Sequence, residues 1–195
     1  FFPDWIEKLA KTLGVSNDEA FAELVRWYDG YRFEENSEPV INPVSLGLCL
    51  RDSKFKTYWS STAVPTFLVD LLKNRPLNLQ LVGIDESMLD AYEPTALNPV
   101  TLLYQTGYLT ISSFCQRGTR RIYSLDFPNM EVRNSFNTSL ARGYVNIDEI
   151  HLGSLQSKCI DALYDDELDV FFETLKIFFA NIPYDISSRA PEETY

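Results

Sequence analysis

Residues 98–125 read Asn98-Pro99-Val100-Thr101-Leu102-Leu103-Tyr104-Gln105-Thr106-Gly107-Tyr108-Leu109-Thr110-Ile111-Ser112-Ser113-Phe114-Cys115-Gln116-Arg117-Gly118-Thr119-Arg120-Arg121-Ile122-Tyr123-Ser124-Leu125. Asn98 suits a helix cap and Pro99 a first helical turn. Leu102 and Leu103 give that helix its buried side, and Gly107 stops it. Tyr108 to Ile111 then reads as a strand, Gln116 to Thr119 as a turn, and Arg121 to Leu125 as a second strand. A helix followed by a β-hairpin is the layout of a winged helix.

On both sides of this stretch the pattern is helical. Pro3 opens a first helix carrying Ile6, Leu9, Ala10 and Leu13, and Gly14 ends it. Ser16 or Asn17 caps a second, with Asp18 and Glu19 in its first turn and Phe21, Leu24, Val25 and Tyr28 on its apolar side. Tyr31 to Phe33 and Val40-Ile41 flank a polar turn and suggest a short hairpin. Asn42-Pro43 repeats the cap-plus-proline start of a helix to about Leu50, and Pro65 begins another. After Pro128, Asn129 caps a helix containing Val132, Phe136 and Leu140. Leu168, Phe171, Phe172, Leu175, Phe178, Phe179 and Ile182 form a broad amphipathic stripe. Asn181 to Tyr195 reads as a linker. The expected class is mainly α (α+β), a helical bundle with a winged-helix-like module and small hairpins.

Composition narrows the function. The chain has 195 residues, 45% hydrophobic and 23% charged, with a net charge of −11. Those proportions are globular, and the acidic balance argues against a free-standing nucleic-acid binder. The charge is uneven: −6 over residues 1–112, +3 over 113–142 and −8 over 143–195. No apolar run is long enough to span a bilayer. The sequence starts Phe1-Phe2-Pro3-Asp4-Trp5, without a signal peptide or an initiator Met, so it is expected to begin inside a longer protein. Cys49, Cys115 and Cys159 are odd in number and widely spaced, as in a reduced, cytoplasmic protein. His151 is the single histidine.

The groups that could carry chemistry are few. There is no GxxxxGK[ST] or GxGxxG, so the chain alone is not expected to hydrolyse ATP. Asp165, Asp166, Glu167 and Asp169 sit where a helix dipole favours acids, and no metal site is expected there. Trp27-Tyr28-Asp29-Gly30-Tyr31-Arg32-Phe33 supports two readings. One is a hinge of packed aromatics; the other is a surface that senses a nucleotide or partner through Arg32. Arg117, Arg120 and Arg121 likewise form either a solvated hairpin tip or a phosphate contact.

Several blocks together carry a resemblance. They are Trp27 to Phe33, Asn42-Pro43-Val44-Ser45, Tyr58-Trp59, Pro65-Thr66-Phe67-Leu68, Tyr104-Gln105-Thr106-Gly107-Tyr108-Leu109-Thr110, and Pro128-Asn129-Met130-Glu131-Val132-Arg133. In this order they resemble bacterial AAA-ATPase-like proteins with a C-terminal PD-(D/E)XK nuclease-like domain. The resemblance runs through most of the chain; where related chains often read Thr-Gly-Thr-Pro, this one has Thr62-Ala63-Val64-Pro65. It marks Trp27, Tyr28, Asp29, Gly30, Tyr31, Phe33, Asn42, Pro43, Ser45, Trp59, Gln105, Gly107, Pro128, Asn129 and Glu131 as family-motif residues. It implies a parent whose ATPase core precedes this segment and whose nuclease-like domain follows it. Glu192 or Glu193 would then be an outlying metal-ligand position of that domain.

The implied arrangement is a helical lid-like subdomain over residues 1–96, a winged-helix-like module over 97–145 and a helical connector over 146–195. ATP and Mg²⁺ would belong to the parent and no cofactor to this chain. Its partners would be the ATPase core and the nuclease-like domain of the same protein. The expected function is non-catalytic regulation and connection, with Arg32 approaching bound nucleotide. The alternative is a nucleic-acid or protein docking module through Arg117, Arg120 and Arg121.

Overall fold

A computed structural model describes residues 3–59, 66–74, 81–86, 89, 98–145 and 147–182. The protein is mainly α, with one small antiparallel sheet. The helices in the described residues are α1 (Pro3–Leu13), α2 (Asn17–Tyr28), α3 (Pro43–Asp52), α4 (Thr66–Asn74), α5 (Pro99–Gln105), α6 (Met130–Tyr144), α7 (Glu149–Tyr164) and α8 (Leu168–Ala180). The strands are β1 (Leu81–Asp85), β2 (Thr110–Arg117) and β3 (Arg120–Asp126). Contacts divide the chain into two units. One is Phe1–Val64 with Leu77–Phe136, and the other is Pro65–Pro76 with Asn137–Tyr195.

In the first unit, α1, α2 and α3 bury Leu9, Ala10, Ala20, Leu24, Tyr28, Cys49 and Leu50. Each helix starts as its sequence directs. Ser16 and Glu19 form a reciprocal capping box on α2: the Glu19 N–H reaches Ser16 Oγ at 3.2 Å, and the Ser16 N–H reaches Glu19 Oε2 at 2.9 Å. These bonds satisfy donors that the first helical turn leaves free. Ser16→Ala is therefore expected to lower stability by about 1 kcal/mol, measurable as a shift of the urea midpoint at unchanged slope. Asn42 Oδ1 accepts from the Val44 and Ser45 N–H groups at 3.0 and 3.3 Å and so caps α3.

The sheet has the order β1-β3-β2. The hairpin turn is Gly118-Thr119, and β2 pairs with β3 from Thr110↔Asp126 to Arg117↔Arg120. Both neighbours of β3 slip register beside Ser124, β2 between Ile111 and Ser113 and β1 between Val82 and Ile84. Tyr123 and Leu125 of β3 are buried, as are Leu103, Tyr108 and Ile111 before it and Val132 and Phe136 after it. Strand β1 escapes a reading by sequence pattern, because Leu81-Val82-Gly83-Ile84-Asp85 is short and is interrupted by a glycine at its bulge. The expected 31–41 hairpin is a single bridge, Tyr31↔Val40.

In the second unit, Gly143 of α6 lies so close to Val69 of α4 that a Cβ there would meet Val69 Cγ1 at 2.2 Å. Helices α7 and α8 pack on one another across the turn Asp165–Glu167. The Asp148 carboxylate caps α7 and pairs with exposed His151 at 2.6 Å. The pair and the cap hold that carboxyl below its ordinary titration range. The cysteines are free thiols: Cys49 is buried, Cys159 half-buried and Cys115 exposed. Thr62–Pro65, Glu192, Glu193 and the linker from residue 183 onward lie outside the described residues. Among the described residues no helix is long and apolar enough to cross a membrane.

Candidate functional site: the Arg32 groove and a buried carboxylate

Helix α2 ends at Tyr28. Asp29 caps the helix end through its N–H to Val25 O at 3.0 Å, and its carboxylate accepts the Gly30 N–H at 2.8 Å. Gly30 has φ +117° and lies against the Pro128 carbonyl. Tyr31 exchanges backbone bonds with Val40. Arg32 is then clamped to the first residue of β2. Its N–H donates to Thr110 Oγ1 at 2.7 Å, and the Thr110 hydroxyl donates to Arg32 O at 2.9 Å. The guanidinium reaches the Ser112 carbonyl at 3.4 Å. The two Arg32 partners lie 78 and 80 residues away along the chain, and no spacing signal in the sequence announces them.

Behind this turn sits Glu131, fully buried in the first turn of α6. Its Oε1 accepts the Tyr58 and Trp59 N–H groups at 2.6 and 2.7 Å, while Oε2 has no hydrogen-bond partner among the described residues. Asn129 caps the same helix through Oδ1, which accepts the Val132 N–H at 3.1 Å, and its Nδ2 is buried without a partner among the described residues. The Tyr28 hydroxyl donates to the Lys56 carbonyl and accepts the Lys56 N–H, at 3.0 and 3.2 Å. Burial, reinforced by Glu131, pushes the Tyr31 phenol up to about 12. The Tyr28 phenol and the Cys49 thiol are raised mainly by burial, with the Glu131 charge adding to both.

The carboxylate thus ties the Tyr58-Trp59 block to the block from Pro128 to Arg133. Tyr58 and Trp59 hang from it, Trp59 packs edge-on against Tyr108 at 4.8 Å, and Tyr108 packs on Phe136. Trp27 donates from Nε1 to Glu23 at 2.9 Å and packs on Phe55 at 5.9 Å. Gln105 reaches the Leu89 carbonyl at 3.5 Å. Pro43 opens α3, Ser45 is buried within it, and Gly107 follows the end of α5. Phe33 is exposed and stacks on Tyr31.

A groove of about 380 Å³ opens on the outer side of this assembly, with Arg26, Asp29, Gly30, Arg32, Phe127 and Pro128 on its walls. Its charged groups differ in what holds them. Arg26 pairs with Glu23 at 3.3 Å and Asp126 with Arg133 at 2.9 Å. Arg32 makes no ion pair among the described residues. The groove can therefore offer the Arg32 guanidinium, on a fixed backbone, to an anion.

The hairpin arginines are placed otherwise. Arg120 pairs with Asp85 of β1 at 3.1 Å. Arg121 pairs with Glu86 at 2.8 Å and Glu35 at 3.2 Å, and lies over the Phe114 ring. Tyr123 donates to Glu35 as well, and burial together with that carboxylate pushes its phenol up to about 12. Arg117 is exposed at the hairpin tip. The locally basic stretch is thus met by acids brought from elsewhere in the chain. No group of His, Cys, Asp and Glu among the described residues could hold a metal ion.

No family model matches the chain. No solved structure matches it either. It is 32% identical over 185 residues to the "Uncharacterized protein in vnfD 5′ region" of Azotobacter chroococcum mcd 1. The match covers 93% of this chain and 34% of that protein, so the chain spans about a third of the length of this relative.

Proposed function

We propose that this chain is the non-catalytic regulatory and connecting segment of an AAA-ATPase-like cytoplasmic protein, and that Arg32 reads nucleotide bound by the ATPase core. In this reading residues 1–96 act as a lid, 97–145 as a winged-helix-like module and 146–195 as the connector to a nuclease-like domain. ATP and Mg²⁺ bind the core, not this chain.

The observation that carries the reading is the state of Arg32. Its backbone is clamped by two bonds to Thr110, and its guanidinium makes no ion pair among the described residues. A guanidinium carried on a fixed backbone and without an ion partner among the described residues is available to a phosphate. Arg120 and Arg121 already face carboxylates, which favours the nucleotide reading over the nucleic-acid one.

In the intact protein, Arg32→Ala is expected to weaken ATP affinity or turnover about 10- to 100-fold, the worth of one charge-assisted contact. Arg32→Lys should recover part of the loss. Unchanged affinity and turnover in the alanine variant would refute the reading. Fluorescence anisotropy with duplex DNA over a salt series addresses the alternative docking function through Arg117, Arg120 and Arg121. A flat baseline is expected, whereas binding that weakens with salt would favour that function.

A further inference from the structure

Helix α8 carries an apolar seam that nothing covers among the described residues. Leu168, Phe172 and Phe179 are 52, 56 and 62% exposed, and Leu175 between them is half-buried. Their spacing of four, three and four residues is that of a helix seam packing against another helix. The flank of α8 beside the seam carries Val170, Phe171 and Phe178, half-buried, and Thr174, fully buried, while Ile177 beyond it is 48% exposed. The seam is thus a second apolar side of α8, distinct from the buried one. Contiguous apolar surface of this kind marks an interaction site in a soluble protein.

The charges beside the seam select the occupant. Asp169 directly follows Leu168, and Lys176 directly follows Leu175. Suppose α8 pairs antiparallel with α8 of a second copy, so that Leu168 meets Phe179 and Phe172 meets Leu175. Asp169 then lies between the same two layers as Lys176 of the other copy, and two-fold symmetry repeats the pair. A parallel pairing would set Lys176 against Phe171 and form no ion pair. Within one chain Lys176 contacts Glu173 at 2.6 Å, but both side chains are mostly exposed. Such a pair is weak and leaves the ammonium free to shift. We infer that α8 is a homodimerisation helix, pairing antiparallel with a second copy of this chain through Leu168, Phe172, Leu175 and Phe179 and flanked by reciprocal Asp169–Lys176 pairs.

Sedimentation equilibrium of the chain at about 0.15 M salt, where long-range repulsion between acidic copies is screened, tests this. A dimer is expected in the micromolar range. Phe172→Glu should leave a monomer of unchanged helical circular dichroism. Lys176→Glu sets acid against acid twice and should weaken the dimer roughly tenfold. Asp169→Lys combined with Lys176→Glu should restore it. A monomer at all concentrations overturns the inference, as does a dimer indifferent to Phe172→Glu. Equal affinity of the single and double charge variants also overturns it, by refuting the antiparallel register.

Discussion

Glu131→Ala is expected to destabilise the first unit by about 3–5 kcal/mol. The loss has two parts. The Tyr58 and Trp59 N–H groups lose their acceptor, and each orphaned donor costs about 1–3 kcal/mol. The truncated side chain also leaves a hole in a fully buried site, which adds a cavity penalty. Often a buried ion pair can be exchanged for hydrophobes at little cost, because both partners are removed together. Here the donors are backbone amides and no substitution removes them. Glu131→Leu should therefore stay well below the wild type despite filling the volume. Glu131→Gln keeps an acceptor at Oε1 and should cost about 1–2 kcal/mol. Urea unfolding followed by tryptophan fluorescence measures this, since Trp27 and Trp59 both sit in the affected unit. An alanine variant within about 1 kcal/mol of the wild type would show that the two amides find other partners.

The contrast between Glu131 and the helix starts shows what a sequence can reveal. Ser16, Asn42 and Asn98 announce their caps because capping is local: oxygen and amide lie within three residues. The hairpin is legible for the same reason, through period-two alternation around Gly118. Glu131 follows an N-cap and reads as an acid in a favourable first turn. That it is buried, and that it holds amides more than 70 residues away, is a tertiary fact with no local signature. The same limit applies to the arginines. A +3 stretch looks like an anion site until Asp85, Glu86 and Glu35 arrive beside it. Arg32, singled out in the sequence beside its aromatic neighbours, reaches the Ser112 carbonyl and makes no ion pair among the described residues. Charge counted along the chain is thus a poor guide to charge available at a surface.

Gly30→Ala is the second substitution expected to have a large effect, about 3 kcal/mol or more. Two separable terms contribute. At φ +117° a side chain is strained wherever it points. In addition, an ideal Cβ on Gly30 would lie 1.9 Å from the Pro128 carbonyl oxygen, an overlap that only a backbone shift relieves. Gly14→Ala supplies the control. Gly14 also has positive φ, at +72°, but a Cβ there meets nothing within 4 Å. It should cost about 1 kcal/mol, the conformational term alone. The excess at Gly30 over Gly14 measures how firmly Pro128 is held by its neighbours, Asn129 at the helix cap and Glu131 in the socket. Because Pro128 and Gly30 share a wall of the Arg32 groove, the strain also reaches the proposed nucleotide contact. In the intact protein Gly30→Ala should therefore weaken ATP binding, while Gly14→Ala leaves it intact. Equal melting shifts for the two glycine variants would show that Pro128 yields freely and that the wall of the groove is not rigid.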